Sequence, residues 1–202
     1  MTLPLNTIIC GDCLDVMKTF EDKSVDLVLT DPPYPNNAGH FVDGIDAANT
    51  LLKEFQCDRW IVFWDEMTIP PVPLPLVARH IWHRTNTNRP DNYEAIYEFN
   101  RDGIKRASRV FPHAVIYPGL TGCVEATGHP TQKPVKLIEK IIKLTSCDGD
   151  VIFDPFMGSG TTCVACKKLG RNYIGIEKEP AYVAIAEKRL EKVNNHKIEE
   201  WF

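Results

Sequence analysis

A chain of 202 residues with 44% apolar and 25% charged side chains has the composition of an ordinary globular protein and the length for one domain with a buried core. No apolar run approaches the roughly 18 residues that span a bilayer, and Met1–Cys10 lacks the basic segment, apolar stretch and cleavage site of a secretory signal, so the expectation is a cytoplasmic protein without membrane attachment. A net charge of −4 argues against indiscriminate nucleic-acid binding, although Arg79, Arg84, Arg89, Arg101, Arg106 and Arg109 concentrate positive charge in the middle and leave room for a local basic face.

In chain order, Thr7–Cys10 reads as a short strand ending at Gly11-Asp12, and Leu14–Phe20 as a helix with Leu14 and Met17 on one face. Val25–Thr30 is an apolar strand that delivers Asp31. Asp43–Phe55 has the helical period, with Ile45, Ala48, Leu51, Leu52 and Phe55 as its stripe. Arg59–Trp64 is almost continuously apolar, as parallel strands covered on both faces are. The proline-studded run Pro70–Pro75 is excluded from helix interiors and central strands, and reads as a rigid connector. His80–Arg84 and Tyr93–Phe99, separated by the polar turn Thr85–Asn92, predict an antiparallel hairpin at the sheet edge. The pattern weakens through Ile104–Arg109, and Ala114–Tyr117 is a further extended segment or strand. Leu137–Leu144 predicts a helix, Val151–Phe153 a strand, Thr162–Leu169 a helix stopped by Gly170, Tyr173–Ile176 a strand and Ala181–Val193 an amphipathic helix. This alternation gives a doubly wound α/β sheet with seven strands.

Two strand ends carry the chemistry. After Val25–Thr30 come Asp31-Pro32-Pro33-Tyr34, which supply a carboxylate, carbonyls held by fixed φ and an aromatic face, the set that grips a planar base bearing an exocyclic amine. After Val151–Phe153 come Asp154-Pro155-Phe156-Met157-Gly158-Ser159-Gly160, whose glycines permit close backbone approach to a cofactor. In an open parallel sheet both ends face the crevice where ligands bind. The glycine turn lacks the Gly-Lys-Ser/Thr of a phosphate loop and the third glycine of the dinucleotide fingerprint. Seven cysteines without a secretion signal are free thiols. Cys10/Cys13 and Cys163/Cys166 share the spacing of a four-cysteine zinc site, but the second pair falls in a helix among alanine and valine, the setting of packed thiols, and no metal is expected.

Gly11-Asp12-Cys13, Asp31-Pro32-Pro33-Tyr34, His129-Pro130-Thr131-Gln132-Lys133-Pro134, Asp154 to Thr162 and Gly175-Ile176-Glu177, in this order, resemble the S-adenosylmethionine-dependent DNA amino-methyltransferases of the β type, in which the catalytic motif precedes the cofactor motif. The resemblance covers nearly the whole chain except about 101–128. It implies a mostly parallel, seven-stranded Rossmann-like methyltransferase sheet with one antiparallel strand, a single domain over 1–202, and double-stranded DNA as partner. The family inserts a target-recognition region where 101–128 lies; its shortness here leaves specificity to few bases or to a second subunit, as in a homodimer.

The resemblance also implies roles. Asp31, Pro32, Pro33 and Tyr34 are the catalytic set: Asp31 and the Pro32 carbonyl accept the amine hydrogens and Tyr34 stacks on the flipped base. Glu177, about 20 residues beyond the glycine turn, suits the ribose hydroxyls of S-adenosylmethionine, and Asp12, beside Cys13, suits its adenine amine or caps the next helix. Asp154, Phe156, Gly158, Ser159, Gly160 and Thr161 face the methionine end, and Lys133 at a helix amino terminus is placed to receive its carboxylate. His83, Arg84, Asn86 and Asn88, around the hairpin turn, are candidates for phosphate or base contacts. An aspartate at the head of the catalytic motif leans toward adenine N6; cytosine N4 is the alternative, and a non-catalytic module that binds cofactor and DNA is a reading from another class.

Overall fold

The computed structural model describes residues 4–21, 24–34, 44–87, 92–116 and 126–193. Among them, strands β1 (Thr7–Cys10), β2 (Leu27–Thr30), β3 (Arg59–Trp64), β4 (Leu76–Arg84), β5 (Tyr93–Asn100), β6 (Val110–His113), β7 (Val151–Asp154) and β8 (Asn172–Glu177) form one sheet in the order β1-β8-β7-β2-β3-β5-β4-β6. Only β5 runs against the rest, pairing antiparallel with β3 and β4. The helices are α1 (Cys13–Met17), α2 (Ile45–Glu54), α3 (Val135–Thr145), α4 (Thr161–Leu169) and α5 (Pro180–Glu191).

Side chains alternate across the sheet with period two, and both faces are covered. Leu27, Leu29, Ile61, Phe63, Ile96 and Ile152 pack with α3, α4 and α5. Val28, Trp60, Val62, Trp64, Phe153 and Ile174 pack with α1 and α2 on the other side. The spacing of Val135, Leu137, Ile138, Ile141 and Ile142 buries one stripe of α3. Helix α4 is bracketed by Gly160 (φ 77°) and Gly170 (φ 66°), and the second closes the helix with Arg171 N–H donating to the Cys166 carbonyl.

Chain order reverses between β7 and β2: β7 continues through α4 to β8 on one side, and β2 through α2 to β3 on the other. Their adjacent carboxyl ends form the crevice in which doubly wound sheets bind ligands.

The sheet has eight strands rather than the expected seven. The extra one is β6, which pairs parallel with β4 and displaces the β4–β5 hairpin from the edge. It ends at His113, before the extended segment expected from Ala114. Pro112 hides β6 from pattern reading, yet fits it: Ile81 and Thr85 N–H donate to the Arg109 and His113 carbonyls, so alternation turns the Pro112 nitrogen away from β4. Strand β4 starts at Leu76, directly after the proline connector, with a bulge between Leu76 and Ala78. Helix α1 stops at Met17, short of the expected Phe20, because the chain turns through Lys18–Phe20.

Phe153 is fully buried, with ring centroids 5.0 Å from Phe20 and 5.1 Å from Phe55. Phe153→Ala is expected to cost about 3–5 kcal/mol, read from the shift in a urea unfolding curve at constant slope.

Candidate active site

A cavity of about 580 Å³ opens at the carboxyl ends of β1, β8, β7 and β2, inside the range of roughly 300–1,000 Å³ typical of small-molecule sites. Asp12, Cys13, Asp31, Pro32, Pro33, Lys133, Asp154, Phe156, Gly158, Ser159, Thr161 and Glu177 all line it. Asp12 also caps α1, its Oδ1 accepting from Leu14 N–H at 2.8 Å. Burial pushes the Cys13 thiol up to about 12, with the Asp12 charge adding, so it is no nucleophile.

The glycine turn is closed from three sides. Gly158 (φ 51°) has no room for a side chain, since a Cβ there meets His129 Nε2 at 2.8 Å. Its N–H donates to Glu177 Oε2 at 3.1 Å, while Glu177 Oε1 takes Glu179 N–H at 2.9 Å. Burial holds the Glu177 carboxyl above its usual range, against those backbone donors. Gly160 lies outside the lining and supplies the positive φ that turns the chain into α4. Arg189 of α5 donates to the Ser159 carbonyl at 2.7 Å and to Thr161 Oγ1 at 3.1 Å. His129, 4.4 Å centroid to centroid from Tyr182, is kept neutral, pushed down to about 4 by burial and by Lys133 and Arg189.

The two strand-end carboxylates are satisfied differently. Asp154 accepts from Thr30 Oγ1 at 3.0 Å, Thr162 Oγ1 at 2.6 Å and Phe156 N–H at 3.2 Å. Burial pushes it up to about 7, with those donors pulling the other way. Asp31 Oδ2 pairs with the Lys133 ammonium, whereas Oδ1 is buried and accepts no hydrogen bond among the described residues. Burial lifts Asp31 to about 6 against the pull of Lys133. Lys133 is itself held above its ordinary value: the cost of burial is outweighed by Asp31 and Glu94, the latter 3.1 Å away.

Of the hairpin residues, His83, Arg84 and Asn86 do not reach the cavity wall. Arg84 donates to Glu94 Oε2 at 2.7 Å, His83 Nε2 lies 3.3 Å from Asn92 Nδ2, and Asn86 exchanges two hydrogen bonds with the Val115 backbone. Asn88 lies outside the described residues. Tyr34 leaves the lining and tilts against Trp64, ring centroids 5.5 Å apart. Cys163 and Cys166 are fully buried within α4, Cys163 against Met157. Sequence reasoning missed Glu94 and Arg189. Glu94 left a trace, as a carboxylate on the same face as Ile96 and Glu98 in a mostly apolar strand; Arg189 left none.

Residues 79–188 match the family of N6/N4 methyltransferases described as DNA methylase. The chain belongs to the DNA methylase family. Along 250 aligned positions, 94% of this methylase and 69% of its relative, it is 28% identical to the Type II methyltransferase M.HinfI of Haemophilus influenzae. That alignment is longer than the 202 residues present here, so M.HinfI carries insertions this methylase does without. A stretch of 129 positions, 60% of the methylase and 48% of the relative, is 43% identical to the Type II methyltransferase M2.DpnII of Streptococcus pneumoniae. The crystal structure of M1.HpyAVI in complex with SAM superposes with a TM-score of 0.69 at 29% identity, covering 91% of the methylase and 98% of that chain. The cytosine-N4-specific PvuII DNA methyltransferase, at 19% identity and TM-score 0.67 over 95% of the methylase and 87% of that chain, shares the fold. No helix among the described residues is long and apolar enough to cross a membrane.

Asp154 gives the site a measurable signature in stability. Because its folded value, about 7, lies above the ordinary 3.8, the folded protein holds this proton more tightly than the unfolded chain. The stabilisation is complete below pH 3.8 and lost as pH rises through 7. Asp154→Asn has no such dependence, so the unfolding free energy of the wild type minus that of the variant should fall from about pH 4 to about pH 7 and level off above it in parallel urea titrations.

Proposed function

We propose that this methylase transfers a methyl group from S-adenosylmethionine to the N6 amine of adenine in double-stranded DNA. One observation carries the reading: Asp31 lines a cofactor-sized cavity and keeps one buried carboxylate oxygen, Oδ1, with no donor among the described residues, while its twin is fixed by Lys133. A buried acceptor left without a donor is costly, and an exocyclic amine supplies the missing one.

The cavity suits the methyl donor. Glu177 at the end of β8 suits ribose hydroxyls, Asp12 suits the adenine amine, and the turn Phe156 to Ser159 lies along the cavity where the methionine end would rest. Asp154 acts through the turn it anchors, its oxygens being taken by Thr30, Thr162 and Phe156. When bound, the donor supplies a methyl carbon made electrophilic by a sulfonium.

The remaining work belongs to this chain. A base in duplex DNA must leave the stack to reach Asp31, at a cost of a few kcal/mol. Asp31 Oδ1 and the Pro32 carbonyl accept the two amine hydrogens, which draws the nitrogen toward sp³ geometry and frees its lone pair. The nitrogen gains one bond to carbon as the carbon–sulfur bond breaks with its electron pair left on sulfur as a neutral thioether, and it gives up one proton, which Asp31, lifted to about 6, is matched to take near neutral pH. The aspartate at the head of the motif, where cytosine enzymes that this chain resembles more often carry serine, supports adenine.

Unmethylated duplex DNA incubated with labelled S-adenosylmethionine, digested and resolved by mass is expected to yield N6-methyladenine; N4-methylcytosine as the sole product overturns the base assignment. Asp31→Asn should slow transfer by about 10²–10⁴-fold while leaving the calorimetric Kd for S-adenosylmethionine within about threefold. Glu177→Ala should weaken that Kd by roughly tenfold or more, as loss of hydrogen bonds to a charged group does.

A further inference from the structure

Behind Asp31 runs a line of four alternating charges, Asp31–Lys133–Glu94–Arg84, that spans the segment before α3 and strands β5 and β4. Lys133 and Glu94 side chains are 10% and 5% exposed, and Glu94 places Oε1 3.1 Å from the Lys133 ammonium and Oε2 2.7 Å from Arg84. The ammonium is boxed in by the Phe63 and Trp82 rings, 5.1 and 5.8 Å from their centroids, and Arg84 covers Trp82 at 5.3 Å.

Charge balance does not require this arrangement. Lys133 and Asp31 neutralise each other, and adding a second buried pair, Glu94 with Arg84, brings a desolvation penalty that its attraction repays poorly compared with apolar packing. Its effect is directional. An ammonium shared between two carboxylates is drawn toward both: Lys133 donates to Oδ2 of Asp31 and stands 3.1 Å from Oε1 of Glu94, which, like Oδ1 of Asp31, takes no hydrogen bond among the described residues. The second carboxylate also offsets at Asp31 the positive potential that Lys133 creates.

We propose that Glu94 is a positioning residue of the methyl-transfer reaction, holding Lys133 on Oδ2 so that Oδ1 of Asp31 stays free to take the amine hydrogen. The inference rests on the reading of Asp31 as amine acceptor, whichever base bears the amine. The groups that face Asp31 are Lys133 from the segment before α3, Glu94 from β5, Arg84 from β4, Asp154 from β7 and Tyr34 from its own turn. Removing the Glu94 charge takes a negative neighbour away from Asp31 and makes Asp31 easier to ionise.

The test is Glu94→Gln, which keeps the shape and removes the charge, with Glu94→Asp as the variant that keeps the charge. The carboxyl carbon resonance of Asp31, assigned by its loss in Asp31→Asn and followed by NMR in protein labelled with carbon-13 aspartate, reports ionisation without turnover. Its midpoint should fall in Glu94→Gln by roughly half a pH unit or more, as loss of a neighbouring like charge does, and return toward the wild-type value in Glu94→Asp. With DNA, the acid limb of the kcat profile should move the same way and plateau kcat should drop roughly tenfold or more, while the calorimetric Kd for S-adenosylmethionine stays within about twofold. An unmoved Asp31 midpoint in folded Glu94→Gln overturns the proposal, as does a lower midpoint with unchanged kcat. A wild-type product other than N6-methyladenine overturns the adenine reading and leaves this test standing.

Discussion

Two carboxylates forced indoors at neighbouring strand ends are what the rest of this molecule is arranged around. Strands β2 and β7 pair with Leu27 opposite Ile152 and Val28 opposite Phe153, so Asp154 ends β7 level with Leu29 and Asp31 leaves β2 two residues farther along, both at the same end of the sheet. Water does not pay their desolvation there, and the protein must. For Asp154 the donors are neutral, two hydroxyls and an amide, and they use both of its oxygens. For Asp31 the donor is a cation on one oxygen alone. The first solution makes a fixed post for the glycine turn; the second leaves an unfinished coordination that a substrate completes.

The legible part of the fold was the part that repeats locally. Period-two and near-continuous apolar runs marked β2, β3, β7 and β8, and the stripe of α3 and the glycine stop of α4 were readable within a few residues. What local pattern could not carry was the behaviour of proline at edges. Pro112 in β6 and Pro75 just ahead of β4 both argue against a strand from sequence, and both fit because their neighbours are at the sheet margin or outside it.

The site was legible to the extent that its residues sit in the backbone turns that define it. Asp31, Asp154 and Glu177 lie within one residue of a strand end, and Asp12 and Gly158 in the turns that follow β1 and β7, so placing the strands places them in the cavity. Arg84 and Asn86 were legible as polar groups near a turn but not in their partners, because Glu94 and the Val115 backbone come from elsewhere in the chain. Lys133 shows the limit most clearly: its position at the approach to α3 was readable, while the direction of its ammonium depends on two carboxylates 102 and 39 residues earlier.

The strand order has a consequence for how this protein is made. Strand β2 carries Asp31 early in the chain, but its partner β7 is the source of a contact 124 residues later, between Thr30 and Asp154. On the ribosome, β2 and β3 can pair as soon as both have emerged, and one side of β2 then waits with unmatched amides and carbonyls until β7 is translated. At a synthesis rate of about 5–20 residues per second that interval lasts on the order of ten seconds, during which the strand in the middle of the finished sheet is an edge. Chaperone occupancy and premature pairing between nascent chains would both be concentrated in that window, at the strand that bears the methylase's reactive carboxylate.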